Sequence, residues 1–305
     1  MAATLLDPVE SGFVVVPGGR VHWRRFGGGS GSPVLLIHGG PGLTSAYMEP
    51  LAALGDERSV YLWDQLDCGR SERPNDRRLW TLARFVDELH SVRNALTPGP
   101  VHILGHSWGT TLALEWLVTK RPADVASAVF AGPCLSAPRW MEDSRGLIAT
   151  LSTGAQAAIA RAERTNRFDA ADYQRAVWDE WMRTYIARTL PPETILATRD
   201  ALTTSGGNFE MLEFMWGPSD FSVTGTLRNF DRTQDLGSLP MPILFLSGEF
   251  DEALPRTVHE QAAMTPKSEV VIIRGAAHLT MIDAPEETNR VIRDFLKRFD
   301  PRERG

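Results

Sequence analysis

Val101-His-Ile-Leu-Gly-His-Ser-Trp-Gly109, which runs straight into Thr110-Thr-Leu-Ala-Leu-Glu-Trp-Leu-Val-Thr-Lys120, is the stretch that decides the fold. Residues 101–104 are a short apolar run. Residues 108–120 are rich in helix formers and stop at Arg121-Pro122, where proline cannot continue a helix. Between them stands Gly105-x-Ser107-x-Gly109. The pentapeptide alone arises by chance, and a plain structural turn is the competing reading. Between a strand and a helix, however, it matches the turn that exposes a nucleophilic serine. Such a turn is too tight for side chains beside the serine, so its Oγ is held out above the sheet. Gly109, Thr110 and Thr111 are small enough to let the helix approach the strand. The helix N-terminus adds positive potential next to the hydroxyl.

Working outward, similar apolar runs occur at residues 34–38, 60–64, 128–131, 243–247 and 270–273. They are nearly continuous rather than alternating, as strands of a parallel sheet buried on both faces are. Helical patterns lie at about residues 81–95, 255–264 and 285–298. Residues 13–16 and 21–25, joined by Pro17-Gly-Gly19, read as an antiparallel hairpin, and Gly27 to Gly31 as a flexible connector. The strand–helix alternation stops at about residue 136. From there the chain is rich in Ala, Arg, Trp and Met, with helical stretches at 154–163 and 171–187. The expected architecture is therefore α/β: a mostly parallel sheet with helices on both faces. Residues 1–135 and 239–305 form its core, and a mostly helical cap is inserted at 136–238.

Composition excludes several classes. The 305 residues are 43% apolar and 23% charged, ordinary for a folded soluble chain. A net charge of −6 provides no basic stripe for a nucleic acid. Two cysteines, Cys68 and Cys134, build neither a disulfide framework nor a four-thiolate zinc site, and low cysteine use fits a reducing compartment. There is no His-Glu-x-x-His and no glycine-rich phosphate loop after a first strand, so no metal and no cofactor is expected. The first ten residues carry acids and lack a basic start and an apolar run, unlike a signal peptide. No apolar run reaches the roughly 18–20 residues of a membrane span. The expectation is a cytoplasmic protein without a membrane partner.

In an open parallel sheet, ligands bind beyond the carboxyl ends of the strands. Three further candidates follow predicted strands there. His38-Gly-Gly-Pro-Gly42 resembles a loop whose backbone N–H groups face a developing oxyanion. Gly248-Glu-Phe-Asp-Glu252 offers an acid, with Asp251 preferred over Glu249 and Glu252 by loop position. Ala276-Ala-His-Leu-Thr280 offers a base, His278. The order Ser107, Asp251, His278 is that of an α/β-hydrolase triad. Serine needs a base to take its proton, and the base needs an acid to fix its tautomer. Of the other histidines, His38 sits in the oxyanion loop, His102 in a strand, and His106 beside the serine. His22, His90 and His259 read as surface.

Together these motifs resemble the proline iminopeptidases and related amino-acid amidases of the α/β-hydrolase fold. The likeness also rests on Asp64-Gln-Leu-Asp-Cys-Gly-Arg-Ser71, Trp216-Gly-Pro-Ser-Asp-Phe-Ser-Val-Thr-Gly225 and Ala277-His-Leu-Thr-Met281, so it runs nearly the length of the chain. The resemblance implies a triad of Ser107, Asp251 and His278 and an oxyanion hole from the N–H groups of Gly40 and Trp108. It also implies that Glu252 and Asp220 bind the free α-amine of the substrate. A buried ammonium needs such partners. Three departures stand out. Asp67 replaces a usual glycine, Thr110 replaces the second glycine after the elbow, and Asp220 is one methylene shorter than the usual glutamate. The first two bear on local backbone and substrate reach, the third on amine recognition.

The leading expectation is a serine hydrolase that cleaves the amide after an N-terminal residue with a free amine, proline or another small apolar one. Its substrate would be a small peptide or an amino-acid amide. The alternatives are an esterase, lactonase or amidase without the amine requirement, and a ligand receptor on a hydrolase fold. A dehalogenase or epoxide hydrolase is disfavoured, because those relatives carry aspartate where this chain has Ser107. Aromatic residues at Trp140, Trp178, Trp181, Tyr185, Phe209, Phe214 and Trp216 are candidates for an apolar pocket wall as well as for a cap core.

Overall fold

Residues 101–106, buried at every position, lie near the middle of one eight-stranded sheet in the computed structural model, which describes residues 7–190 and 204–300. The strands are β1 (Glu10–Val16), β2 (Gly19–Phe26), β3 (Gly31–Ile37), β4 (Arg58–Trp63), β5 (Val101–His106), β6 (Val125–Ala131), β7 (Ile243–Gly248) and β8 (Ser268–Ile273). Their order is β1-β2-β4-β3-β5-β6-β7-β8. The β1–β2 hairpin is antiparallel and joins β4 antiparallel; from β4 to β8 every pairing is parallel. After β3 the chain pairs outward to β4, then returns on the other side as β5. The ends of β3 and β5 therefore flank the point where the winding reverses, the place where open α/β sheets bind ligands. Ile37 of β3 is in register with Gly105 of β5, which puts the glycine loop beside the serine turn.

Both sheet faces are covered. One carries Trp63, Phe85, Trp108, Leu112, Phe130 and Phe245; the other carries Met48, Leu51, Leu104, Leu246, Ile292 and Phe295. The covering helices are α1 (Leu82–Leu96), α2 (Trp108–Lys120), α7 (Pro255–Ala263) and α9 (Pro285–Lys297), close to the predicted spans. A 3₁₀ helix at Ser45–Asp56 was not legible, because Pro50 inside it reads as a breaker. The connector before β3 is packed rather than free. A Cβ on Gly27 would lie 1.8 Å from the Gly55 carbonyl oxygen, so close backbone approach requires the glycine. Residues expected on the surface also include His22, which is buried in β2.

Between β6 and β7 the chain leaves the sheet. It forms α3 (Ala137–Ile148), α4 (Thr153–Thr165), α5 (Ala171–Arg175), a π-helical turn at Ala176–Ile186 and α6 (Phe209–Met215). The predicted single helix at 171–187 is thus two segments. This region has its own apolar cluster of Leu147, Ile159, Tyr173, Trp178, Trp181 and Phe221. Part of the expected cap, residues 191–203, lies outside the described residues, as do residues 1–6 and 301–305. After β8 come a short α8 (Thr280–Asp283) and α9. Among the described residues, no helix is long and apolar enough to cross a membrane.

Candidate active site

Ser107 follows β5 directly and stands at the N-cap position of α2, with φ +54° and ψ −124°. This left-handed region costs a non-glycine residue about 1–3 kcal/mol, and such strain persists only where the surroundings enforce it. Here the enforcement is visible. A Cβ on Gly109 would stand 2.0 Å from the Ile37 carbonyl oxygen, so the helix start is pressed against β3. The Ser107 N–H donates to the Ala131 carbonyl at 3.0 Å, and the Thr110 N–H and Oγ1 both donate to the Ser107 carbonyl, at 2.8 and 2.7 Å.

His278 and Asp251 meet beyond the ends of β8 and β7. Nδ1 of His278 is 2.7 Å from Oδ1 of Asp251. The aspartate also accepts from the N–H groups of Ala253 (2.7 Å) and Gly248 (3.2 Å) and from Ser247 Oγ (3.2 Å). Fully buried, it is fixed by four donors counting the histidine. The His278 N–H donates to the Tyr185 carbonyl in the π-helical turn, tying the histidine loop to the inserted segment. Gly132, after β6, leaves space for the imidazole: a Cβ there would lie 2.5 Å from its Cε1. His278 and Ser107 line one cavity of about 270 Å³ with Gly40, Asp220 and Glu252.

Gly40 and Trp108 line a second, small pocket that shares Gly40, Ser107, Asp220 and Glu252 with that cavity. As the first residue of α2, Trp108 has an N–H with no acceptor in its own helix. Among the described residues the Gly40 N–H makes no hydrogen bond either. The loops that carry these two groups are braced from below by Gln65. Its N–H donates to His38 Nε2 and its amide to the His38 carbonyl, while its Oε1 accepts from Trp108 Nε1; all three bonds are 3.0 Å. Burial holds the His38 pKa below its ordinary value, which keeps Nε2 free to accept.

Glu252 is 3% exposed, not a solvated surface carboxylate. Its Oε2 accepts from Trp181 Nε1 at 3.0 Å, and its Oε1 lies 3.7 Å from His278 Nε2. Burial first, then the charges of Asp220 and Asp251, push its pKa well above the carboxylate range. Burial raises the Asp220 pKa too. The Asp220 carbonyl accepts from both Trp140 Nε1 (2.9 Å) and Trp216 Nε1 (3.1 Å), and these two indoles line the small pocket beside Gly40 and Trp108. The outer walls are apolar, with Leu43, Met182, Ile186 and Leu212 among them. Of the aromatic candidates, Trp178 and Tyr185 belong to the inserted segment's own core, and Phe214 packs on Trp80.

The departures at Asp67 and Thr110 have structural partners. Asp67 takes φ +68°, accepts from Asn75 N–H (2.7 Å) and Trp80 Nε1 (2.8 Å), and does not line the cavity. Thr110 Oγ1 also accepts from the Cys134 N–H. Both cysteines are free and buried. Among the described residues, no cluster of His, Cys, Asp or Glu has the arrangement of a metal site. Sequence reading missed Tyr47, Gln65 and Gly132. Only Gln65 lay in a quoted motif, and no local pattern marks a residue whose partners are distant in the chain.

The α/β hydrolase fold family model matches residues 32–285. The proline iminopeptidase of Heyndrickxia coagulans is 42% identical over 286 residues, 93% of this chain and 98% of that protein. The proline iminopeptidase of Levilactobacillus brevis is 34% identical over 271 residues, 88% of this chain and 89% of that protein. The crystal structure of the proline iminopeptidase of Mycobacterium smegmatis superimposes with a TM-score of 0.85 at 30% identity, over 95% of this chain and 99% of that one.

Proposed function

The chain belongs to the proline iminopeptidase family of α/β hydrolases, and from that premise we propose that it releases an N-terminal proline, or another small apolar residue, from a small peptide or amino-acid amide. Ser107 Oγ attacks the carbonyl carbon while His278 Nε2 takes its proton. Asp251 accepts a hydrogen bond from Nδ1–H and stabilises the imidazolium. The N–H groups of Gly40 and Trp108 receive the oxyanion. His278 returns the proton to the leaving amine, and water then hydrolyses the Ser107 ester. Glu252 and Asp220 pair with the substrate ammonium, and residues 136–238 act as a cap domain over a core of 1–135 and 239–305. The setting is cytoplasmic.

The observation that carries this reading is the 2.7 Å contact between His278 and Asp251, with His278 lining one cavity together with a serine held at φ +54°. The Glu252 and Asp220 carboxyls, which line that cavity with His278 and whose pKa values burial raises, support the ammonium preference. The test compares proline p-nitroanilide, its N-acetyl analogue and p-nitrophenyl acetate. Strong preference for the free amine is expected. Equal turnover of the acetylated compound would favour a general amidase or esterase, and no turnover of any, a receptor.

A further inference from the structure

Three hydrogen bonds cross the floor of the cavity in line. The Gly39 N–H donates to Tyr47 Oη at 2.6 Å, Tyr47 Oη is 2.8 Å from His106 Nδ1, and His106 Nε2 is 3.0 Å from the His278 carbonyl oxygen. Chemistry sets the direction of each. An amide N–H only donates, and a carbonyl only accepts, so the His106 proton is on Nε2. His106 is buried, and burial together with the neighbouring His278 holds its pKa well below the ordinary value. The ring is therefore neutral and Nδ1 has a lone pair, to which the Tyr47 hydroxyl donates. Burial keeps the phenol protonated. Each polar atom in the chain then has its partner.

We propose that Tyr47 and His106 are positioning residues that hold the oxyanion loop and the His278 loop in register, across the turn that carries Ser107. The proposal rests on the hydrolase reading above. The chain starts one residue before Gly40, ends on the backbone of the base, and passes through the residue next to the nucleophile. By engaging the Gly39 N–H it leaves the Gly40 N–H as the donor of that loop. The rings support the bonds: His106 lies 4.5 Å from the His278 ring, and Tyr47 meets His106 edge-on at 5.3 Å. Tyr47 is itself placed by the Asp64 motif. Asp64 Oδ1 accepts from both the N–H and the Oγ of Ser45 at 2.8 Å, which anchors the start of the 3₁₀ helix that bears Tyr47. That gives the Asp64–Gln65 pair one task with two arms, Gln65 bracing the oxyanion donors from below and Asp64 bracing them through Tyr47.

The test is Tyr47→Phe, which keeps the ring and removes only the hydroxyl. On proline p-nitroanilide kcat is expected to fall about 10- to 100-fold, since displacing an oxyanion donor costs less than deleting it. KM should stay within about threefold, because the amine site is untouched. The same loss is expected on p-nitrophenyl acetate, which has no amine, so this result is separable from failure of the amine reading. Affinity for a prolyl boronic acid, which forms a tetrahedral adduct, should drop by the same factor, with product inhibition by proline unchanged. His106→Phe should resemble Tyr47→Phe, and the double variant should be no worse than either alone. Active-site titration with a fluorophosphonate corrects for any unfolded fraction, and His106→Phe carries the test if Tyr47→Phe does not fold. A kcat within twofold of wild type, losses that multiply in the double variant, or a loss seen in KM rather than in kcat would overturn the proposal.

Discussion

Asp251 and Glu252 are consecutive residues, yet one packs at the sheet end and the other lines the cavity. Asp251 receives four donors from backbone, serine and histidine, all at the end of β7 or on the loops that follow β7 and β8. Glu252 receives a single indole N–H from Trp181, in the segment inserted between β6 and β7. Asp220 likewise depends on indoles from that segment, which hold its carbonyl and not its carboxyl. The sheet-end carboxylate already has its donors in place without substrate. On the proposed reading the Glu252 and Asp220 carboxyls lack enough donors, so their charge would become favourable when an ammonium arrives. On that reading one half of the site is complete before substrate binds, and the other is completed by substrate.

The strongest way to break this contrast is at the serine. Ser107→Ala is expected to lower kcat on the order of 10⁴–10⁶-fold on amide and ester alike, with the circular dichroism spectrum unchanged. A folded variant with wild-type-like rates would remove Ser107 from the chemistry. Asp251→Asn should cost about 10⁴-fold, again on every substrate, because the wrong imidazole tautomer is favoured.

Glu252→Gln and Asp220→Asn sharpen the contrast from the other side. Each should lower kcat/KM on the free-amine substrate by roughly 10- to 150-fold, the equivalent of about 1.5–3 kcal/mol for a charge-assisted contact. Hydrolysis of p-nitrophenyl acetate should change little. Equal losses on both substrates would show that these acids do not recognise the amine. A pH profile makes the same distinction. As pH falls through the raised pKa of Glu252, the carboxyl becomes neutral and the ammonium loses its partner. The acid limb for proline p-nitroanilide should therefore lie at higher pH than that for the ester, and Glu252→Gln should remove the difference.

A smaller effect is expected on stability, with the opposite sign. The folded-state pKa of Glu252 is raised above the unfolded value, so between the two the native chain binds the extra proton and stability falls as pH rises. At neutral pH, Glu252→Gln should raise Tm by about 2 °C, the shift that roughly 1 kcal/mol produces in a chain of this size. A lower Tm would mean that the carboxylate is satisfied in the empty enzyme. Prolonged EDTA dialysis should have no effect at all; a loss restored by a divalent ion would call for a metal centre.

Much of the fold follows from local pattern. The buried runs at residues 101–106 and 243–248, the helix at 108–120 with its stop at Arg121-Pro122, and the positions of Ser107, Asp251 and His278 after strands are all legible, because strand burial, helix termination and tight turns leave signatures within a few residues. The packed connector at Gly27 and the buried His22 were misread, since a glycine used for freedom and one used for close approach look the same in sequence. The resemblance pointed to Glu252 and Asp220, but only the structure shows Glu252 buried and Asp220 half-buried in one cavity wall. What the sequence could not contain is any relation between residues far apart in the chain: Trp181 on Glu252, Gly132 clearing the His278 ring, Tyr47 and His106 joining two loops. Residue types and turns are written locally, whereas dielectric environment and hydrogen-bond partners exist only once the strands have set the loops side by side.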